Sequence, residues 1–153
     1  MPTFGGIRED ILQFILDVST NVAAPKGQFF FRQDDAANAM FVLEQGKVAI
    51  LKAWNGHEYL LHELKAGDCF GEMALIDLLP RSASVLAVED SVAIKISSAT
   101  LSQVYEKDLE QLAMIYMNLG REVSRRLRET DELLFQARIE AIPSGSDYTF
   151  KVV

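Results

Sequence analysis

Between Lys26 and Ser97 no run of the chain goes far before a turn signal stops it. Short apolar or β-branched stretches are broken about every ten residues by Asp34-Asp35, Gln45-Gly46, Asn55-Gly56, Lys65-Ala66-Gly67-Asp68 and Glu89-Asp90. This texture belongs to all-β sandwiches and barrels. It predicts strands over Gln28–Arg32, Ala39–Glu44, Lys47–Lys52, Glu58–Leu64, Ala83–Val88 and Val92–Ile96, with Asn55-Gly56 as a hairpin turn pair. One stretch resists the pattern. Phe70-Gly71-Glu72-Met73-Ala74-Leu75-Ile76-Asp77-Leu78-Leu79-Pro80 places helix formers between a Gly and a Pro. It reads as a loop with one or two helical turns inserted in the sheet, and irregular insertions commonly carry function.

Helical periodicity flanks this region. Ile7, Ile11, Phe14, Ile15 and Val18 mark one apolar face over Ile7–Ser19, and Glu9 and Asp10 suit the positive end of its dipole. After Ser97 a short helix is expected over Ala99–Glu106 and a long one over Asp108–Ile139. Leu112, Tyr116, Leu119, Val123, Leu127, Thr130, Leu134 and Ala137 step by three and four along the long one, close to a heptad seam. A helix of about thirty residues is about 45 Å long, too long to bury against a small barrel. Part of its stripe therefore needs a partner, and a parallel homodimer through this helix is expected. Residues 1–141 read as one domain and 142–153 as a tail.

Composition narrows the function. With 15 Lys and Arg against 22 Asp and Glu, the net charge of −7 repels a nucleic-acid backbone. Arg121, Arg125, Arg126 and Arg128 alternate with Glu122, Glu129, Asp131 and Glu132 and read as a salt-bridged, solvated face. Cys69 is the lone cysteine, which excludes an internal disulfide or a Cys-rich zinc site; it reads as a small core residue. His57 and His62 are too few for a catalytic metal. The sequence starts without a basic, then apolar, targeting segment and has no apolar run of ~18 residues, so a cytoplasmic protein is expected. No nucleophile–base pair, Gly-x-Ser-x-Gly elbow or cofactor motif is present, and neither catalysis nor a cofactor is expected.

The insertion does carry the chemistry of an anion site. Gly71 lets backbone approach a ligand. The N–H groups of Glu72, Met73 and Ala74, at a helix start, have no partner within the helix. Arg81 offers a planar donor fork, Ser82 a hydroxyl, and Ala83 an unencumbered N–H. Glu72 beside an anion is explained by a ribose hydroxyl, for which a carboxylate is a natural acceptor. One Arg and one helix start match the single charge of a cyclic phosphodiester, and no Walker-type loop is present.

The string Phe70–Val85, FGEMALIDLLPRSASV, resembles the phosphate-binding cassette of cyclic nucleotide-binding domains. That family includes the catabolite activator protein and the regulatory subunit of cAMP-dependent protein kinase. The likeness rests on the Gly-Glu pair, the Ala-Leu after it, and Arg81 nine positions beyond Glu72 with small residues following. Gln33 departs from the family, which often has a glycine before the aspartate.

The resemblance implies an α+β fold: an antiparallel β-roll, jelly-roll-like, with an N-terminal helix, a short helical cassette and a long C-terminal helix. It assigns the ribose 2′-hydroxyl to Glu72 and the cyclic phosphate to Arg81. Donors come from Gly71, Met73 or Ala74, Ser82 and Ala83, and Ile50 and Leu61 line the base pocket. Thr130 matches a base-contacting threonine, though it equally suits a neutral seam position, and Asp131 stands where a partner-subunit serine contacts the base. The function implied is sensing of a 3′,5′-cyclic nucleotide, cAMP first, with cGMP open because Ser82 and Thr130 can serve either base. The long helix would act as lid and dimer seam, repacking against a Leu78-Leu79 hinge. Two alternatives stand beside it. One is the ligand-sensing part of a catabolite-activator-type regulator lacking or separated from its DNA-binding domain, since the 15 residues after Arg138 are too few for a helix-turn-helix. The other is a nucleotide-free dimerisation scaffold. Neither direct DNA binding nor membrane association is expected.

Overall fold

In the computed structural model, which describes residues 2–142, eight strands pair into two four-stranded antiparallel sheets. The strands are β1 (Thr20–Ala24), β2 (Phe29–Phe31), β3 (Ala39–Gln45), β4 (Lys47–Trp54), β5 (His57–Lys65), β6 (Cys69–Phe70), β7 (Ser84–Ala87) and β8 (Ser91–Ser97). One sheet runs β1-β8-β3-β6, the other β2-β7-β4-β5. The chain changes sheet at every strand connection except β4–β5, which rolls the two sheets around one apolar filling. Phe41, Leu43, Val48, Phe70, Val85 and Ala93 form that filling. Gly46 makes the β3–β4 corner at φ +92°, where an added Cβ would stand 2.6 Å from the Asp90 carbonyl oxygen.

Four helices, α1 (Glu9–Val18), α2 (Met73–Asp77), α3 (Ser98–Lys107) and α4 (Leu109–Glu140), complete the described chain with a 3₁₀ turn over Pro2–Phe4. A second core lies outside the first sheet, where Ile11 and Ile15 of α1 and Leu101 and Val104 of α3 meet Met40, Ile94 and Ile96. Ser97 and Asp108 cap α3 and α4, accepting from the N–H groups of Thr100 and Gln111. Such caps satisfy donors that a helix start leaves open. Among the described residues no helix is long and apolar enough to cross a membrane.

All six expected strands are present, with ends shifted by one or two residues. β1 and β6 were not expected. β1 has a weak apolar pattern and exists through its ladder to β8, Thr20↔Lys95 to Ala24↔Ser91. β6 has only two residues, held by Phe41↔Phe70 and Val42↔Cys69. Helix α1 begins at Glu9 and not at Ile7, because Arg8 is extended and its N–H donates to the Gln111 side chain at 2.7 Å.

Helix α4 also departs from its expected stripe. Leu112 and Leu119 reach the core as expected, but Ile115, Gln111 and Asn118 are buried beside them. The Asn118 amide donates to the carbonyls of Thr3 and Gly5 at 3.1 and 2.9 Å. Tyr116, Leu127 and Leu134 are exposed. At 32 residues the helix is about 48 Å long, and its C-terminal half bears Leu127, Leu133, Leu134, Phe135 and Ile139 in the open. The tail assigned to 142–153 falls, beyond Ile142, outside the described residues.

Candidate functional site

The insertion between β6 and β7 is fixed from below and open above. Ala74 and Leu75 of α2 are buried, and Leu75 joins the helical core. Met73, Ile76, Leu78 and Leu79 face solvent, with Leu78 81% exposed and in a left-handed conformation at φ +60°. No side chain caps the start of α2. Between this segment and the second sheet lies a cavity of about 410 Å³. Ile50 and Lys52 of β4 and Leu61, His62 and Leu64 of β5 form one wall; Gly71, Glu72, Met73, Ala74, Arg81, Ser82 and Ala83 form the other, with Arg126 of α4 closing one side.

Arg81 is seated by backbone at both ends. Its N–H donates to the Asp35 carbonyl at 2.9 Å, and its own carbonyl accepts from Asp34 N–H at 2.8 Å. Its guanidinium, only 6% exposed, lies 3.9 Å from the centre of the Phe31 ring, a cation–π stack over the aromatic floor. Nη1 donates to the Gly71 carbonyl at 2.9 Å and Nη2 to the Ala39 carbonyl at 2.8 Å. Nε is buried with no partner among the described residues. An orphaned donor on a buried cation costs free energy. Burial pulls the Arg81 pKa below the ordinary arginine value, with Asp35 and Glu72 opposing.

Gly71 makes this seat possible. It has φ +76°, and a Cβ there would stand 2.6 Å from Arg81 Nη1 and 3.2 Å from the Phe31 ring. The space a side chain would fill belongs to the arginine. Gln33 fits the site too: its N–H donates to Ser84 Oγ at 2.8 Å and its Oε1 accepts from Ala53 N–H at 2.8 Å. The left-handed residue of this turn is Asp34, at φ +71°.

Glu72, with its side chain 1% exposed, pairs with Arg126 rather than Arg81. Arg126 also donates to the Cys69 carbonyl at 2.9 Å. Burial raises the Glu72 carboxyl above the usual range, and Arg126 opposes that shift. Arg126 thus leaves the solvated face assigned to it, while Arg125 keeps that role through Glu122 and Glu129. The signal was available: Arg126 follows Leu119 by seven positions and Leu112 by fourteen, on the buried side of the helix. Lys52, also not anticipated, lines the cavity and donates its ammonium to the Ser82 carbonyl.

The structure brings nine of the ten sequence-named residues to one cavity: Ile50, Leu61, Gly71, Glu72, Met73, Ala74, Arg81, Ser82 and Ala83. It does not bring Thr130 there. That side chain is exposed, one helical turn past Arg126, and its hydroxyl donates to the Arg126 carbonyl at 2.9 Å. Among the described residues no three His, Cys, Asp or Glu side chains gather to hold a metal ion.

Comparison with known proteins bears on this cavity. The model of the cyclic nucleotide-binding domain matches residues 21–108. The chain is 33% identical over 131 residues to the cyclic AMP receptor protein of Thermus thermophilus, covering 85% of this chain and 59% of that protein. It is 32% identical over 124 residues to human cGMP-dependent protein kinase 2, covering 77% of this chain and 16% of the kinase. The crystal structure of Thermus thermophilus catabolite activator protein superposes with a TM-score of 0.79 at 30% identity, over 92% of this chain and 64% of that one. The chain thus spans 59% of the first of these curated relatives and far less of the second.

Proposed function

Because the chain belongs to the cyclic nucleotide-binding domain family, we propose that its cavity takes one 3′,5′-cyclic nucleotide, cAMP first, and that it acts as a regulatory sensor and not as an enzyme. The observation that carries this is the buried Arg81 side chain lining the cavity, its Nε without a partner among the described residues. In this reading Arg81 pairs the cyclic phosphate, helped by the backbone of Gly71, Met73, Ala74 and Ala83 and by the Ser82 hydroxyl. Glu72 accepts the ribose 2′-hydroxyl, and Ile50 and Leu61 hold the base. The Glu72–Arg126 pair ties the cassette to α4, so ligand at Glu72 acts on the long helix directly. Closure moves that helix over the base as a lid, brings Thr130 into contact, and covers Leu78 and Leu79. The ligand drives this only by its greater affinity for the closed state. The exposed C-terminal half of α4 is the seam of a parallel homodimer. The functional unit runs to residue 141, and a single buried thiol suits the reducing cytoplasm.

Calorimetric titration of the native chain with cAMP, cGMP and 5′-AMP tests this reading. A cyclic nucleotide is expected to bind at least tenfold tighter than 5′-AMP, whose doubly charged phosphate mismatches the site. Equal affinities would contradict a cavity shaped for the ring-closed ester.

A further inference from the structure

Resting on nucleotide binding as proposed above, a finer assignment concerns His62. This side chain lines the cavity together with its neighbour Leu61, which a regular strand forbids, since successive side chains point to opposite faces. The register explains it. Ile50 pairs with His62, but Leu51 pairs with Leu60, so Leu61 is the extra residue of a β-bulge. Bulges bend a strand and re-aim side chains, and this one gives two consecutive residues of β5 to one cavity.

The polar groups of the cavity are otherwise divided between two tasks. Arg81, Ser82 and Lys52 gather at one end, with the Lys52 ammonium on the Ser82 carbonyl. Glu72 is engaged with Arg126. His62 stands apart, on the wall with Ile50, Leu61 and Leu64, where an apolar surface suits a purine ring. We propose that His62 reads the substituent at position 6 of the purine, and that its protonation sets the preference between a 6-amino and a 6-oxo nucleotide.

The chemistry is that of one imidazole in two states. Neutral, it offers one donor and one acceptor, and so meets either an amino or an oxo group. Protonated, it only donates; the oxo group is still served, while the amino group faces a second donor. A polar site left facing the wrong partner discriminates strongly. The charged groups around His62 are Arg126 and Glu129 of α4 and Asp68 of the β5–β6 turn, with Glu72 on the opposite wall. Burial first and Arg126 second push the imidazole below the usual histidine range, while Glu129 and Asp68 oppose. The neutral form therefore holds at neutral pH, and protonation needs a pH below the usual histidine range.

The test is calorimetric titration of native chain and His62→Gln with cAMP and cGMP at pH 7.5 and 5.5. The quantity read is the ratio of the two dissociation constants, so that titration of Glu72, which faces the ribose common to both ligands, cancels. For the native chain the ratio of the cAMP to the cGMP constant is expected to rise about tenfold on acidification. For His62→Gln both nucleotides still bind, since Arg81 is intact, and the ratio stays flat. A native ratio independent of pH, or a His62→Gln ratio that still rises, overturns the assignment of His62 while leaving nucleotide binding in place. Failure of the native chain to bind either nucleotide at either pH overturns both.

Discussion

Replacing Arg126 by methionine isolates the contact that joins the cassette to the long helix. Methionine keeps an apolar stem of similar reach and removes the charge. Glu72, 1% exposed, then loses its only ion-pair partner among the described residues. Breaking a buried pair from one side costs ~3–5 kcal/mol, most of it the penalty of an uncompensated charge. Arg126 is 27% exposed, so water replaces part of the lost interaction, and a loss of ~2–3 kcal/mol at pH 7.5 is expected. The pH dependence follows from the direction of the Glu72 shift. Its carboxyl is raised by burial, so the folded state holds the proton more tightly than the unfolded state does. Stability therefore falls as pH rises from the unfolded value through the folded one. Without Arg126 the folded value climbs further, so the variant's deficit at pH 7.5 should shrink as the pH is lowered to 5.5. Adding Glu72→Gln to Arg126→Met should recover most of the loss, because no unpaired carboxylate then remains buried at this position. Urea denaturation of the four chains of this double-mutant cycle at both pH values supplies the numbers. A deficit equal at the two pH values, or single-variant effects that merely add, would refute a buried, mutually dependent pair.

Other expectations follow from the same geometry. Arg81→Ala should weaken cAMP binding by ~2–5 kcal/mol in calorimetry, as a buried phosphate loses its charged partner; an unchanged Kd at an intact circular dichroism spectrum would refute the role given to Arg81. Gly71→Ala places a Cβ 2.6 Å from Arg81 Nη1 at φ +76°, so it should lower stability by ~1–2 kcal/mol in urea and weaken cAMP binding together. Losing one without the other would show that the glycine does not set the arginine's seat. The native chain should sediment as a dimer at tens of micromolar and Leu134→Glu as a monomer; a native monomer would dispose of the seam on α4.

What the sequence revealed and concealed divides along physical lines. Strands with strong β-branched or apolar runs and firm turn signals, such as Ala39–Gln45 and Lys47–Trp54, were legible because local pattern and tertiary burial agree. Thr20–Ala24 and Cys69–Phe70 were not, because their order comes from partners tens of residues away. The cassette was legible as a string, down to its Gly-Glu pair and its arginine. Its internal wiring was not. Glu72 and Arg81 share a cavity without pairing, and the partner of Glu72 comes from a helix 54 residues later. Arg126 was hidden among alternating charges, where residue type argued for solvent and only the seven-residue step from Leu119 argued for the interior. Thr130 lies one turn past Arg126 on the same face of the helix, but there the side chain is already exposed and outside the cavity. The bulge at Leu61, which adds Leu61 to the wall that His62 already shares with Ile50, leaves no mark in the residue pattern of β5.

The most direct measurement is the side-chain Nε–H resonance of Arg81 in ¹H–¹⁵N spectra of the native chain, assigned by its absence from Arg81→Lys and followed during titration with cAMP. A large downfield proton shift and slowed solvent exchange at saturation are expected, as the unpaired donor acquires a phosphate oxygen. An Arg81 Nε–H that keeps its position and exchange rate with nucleotide in excess would mean that the buried guanidinium serves the fold alone.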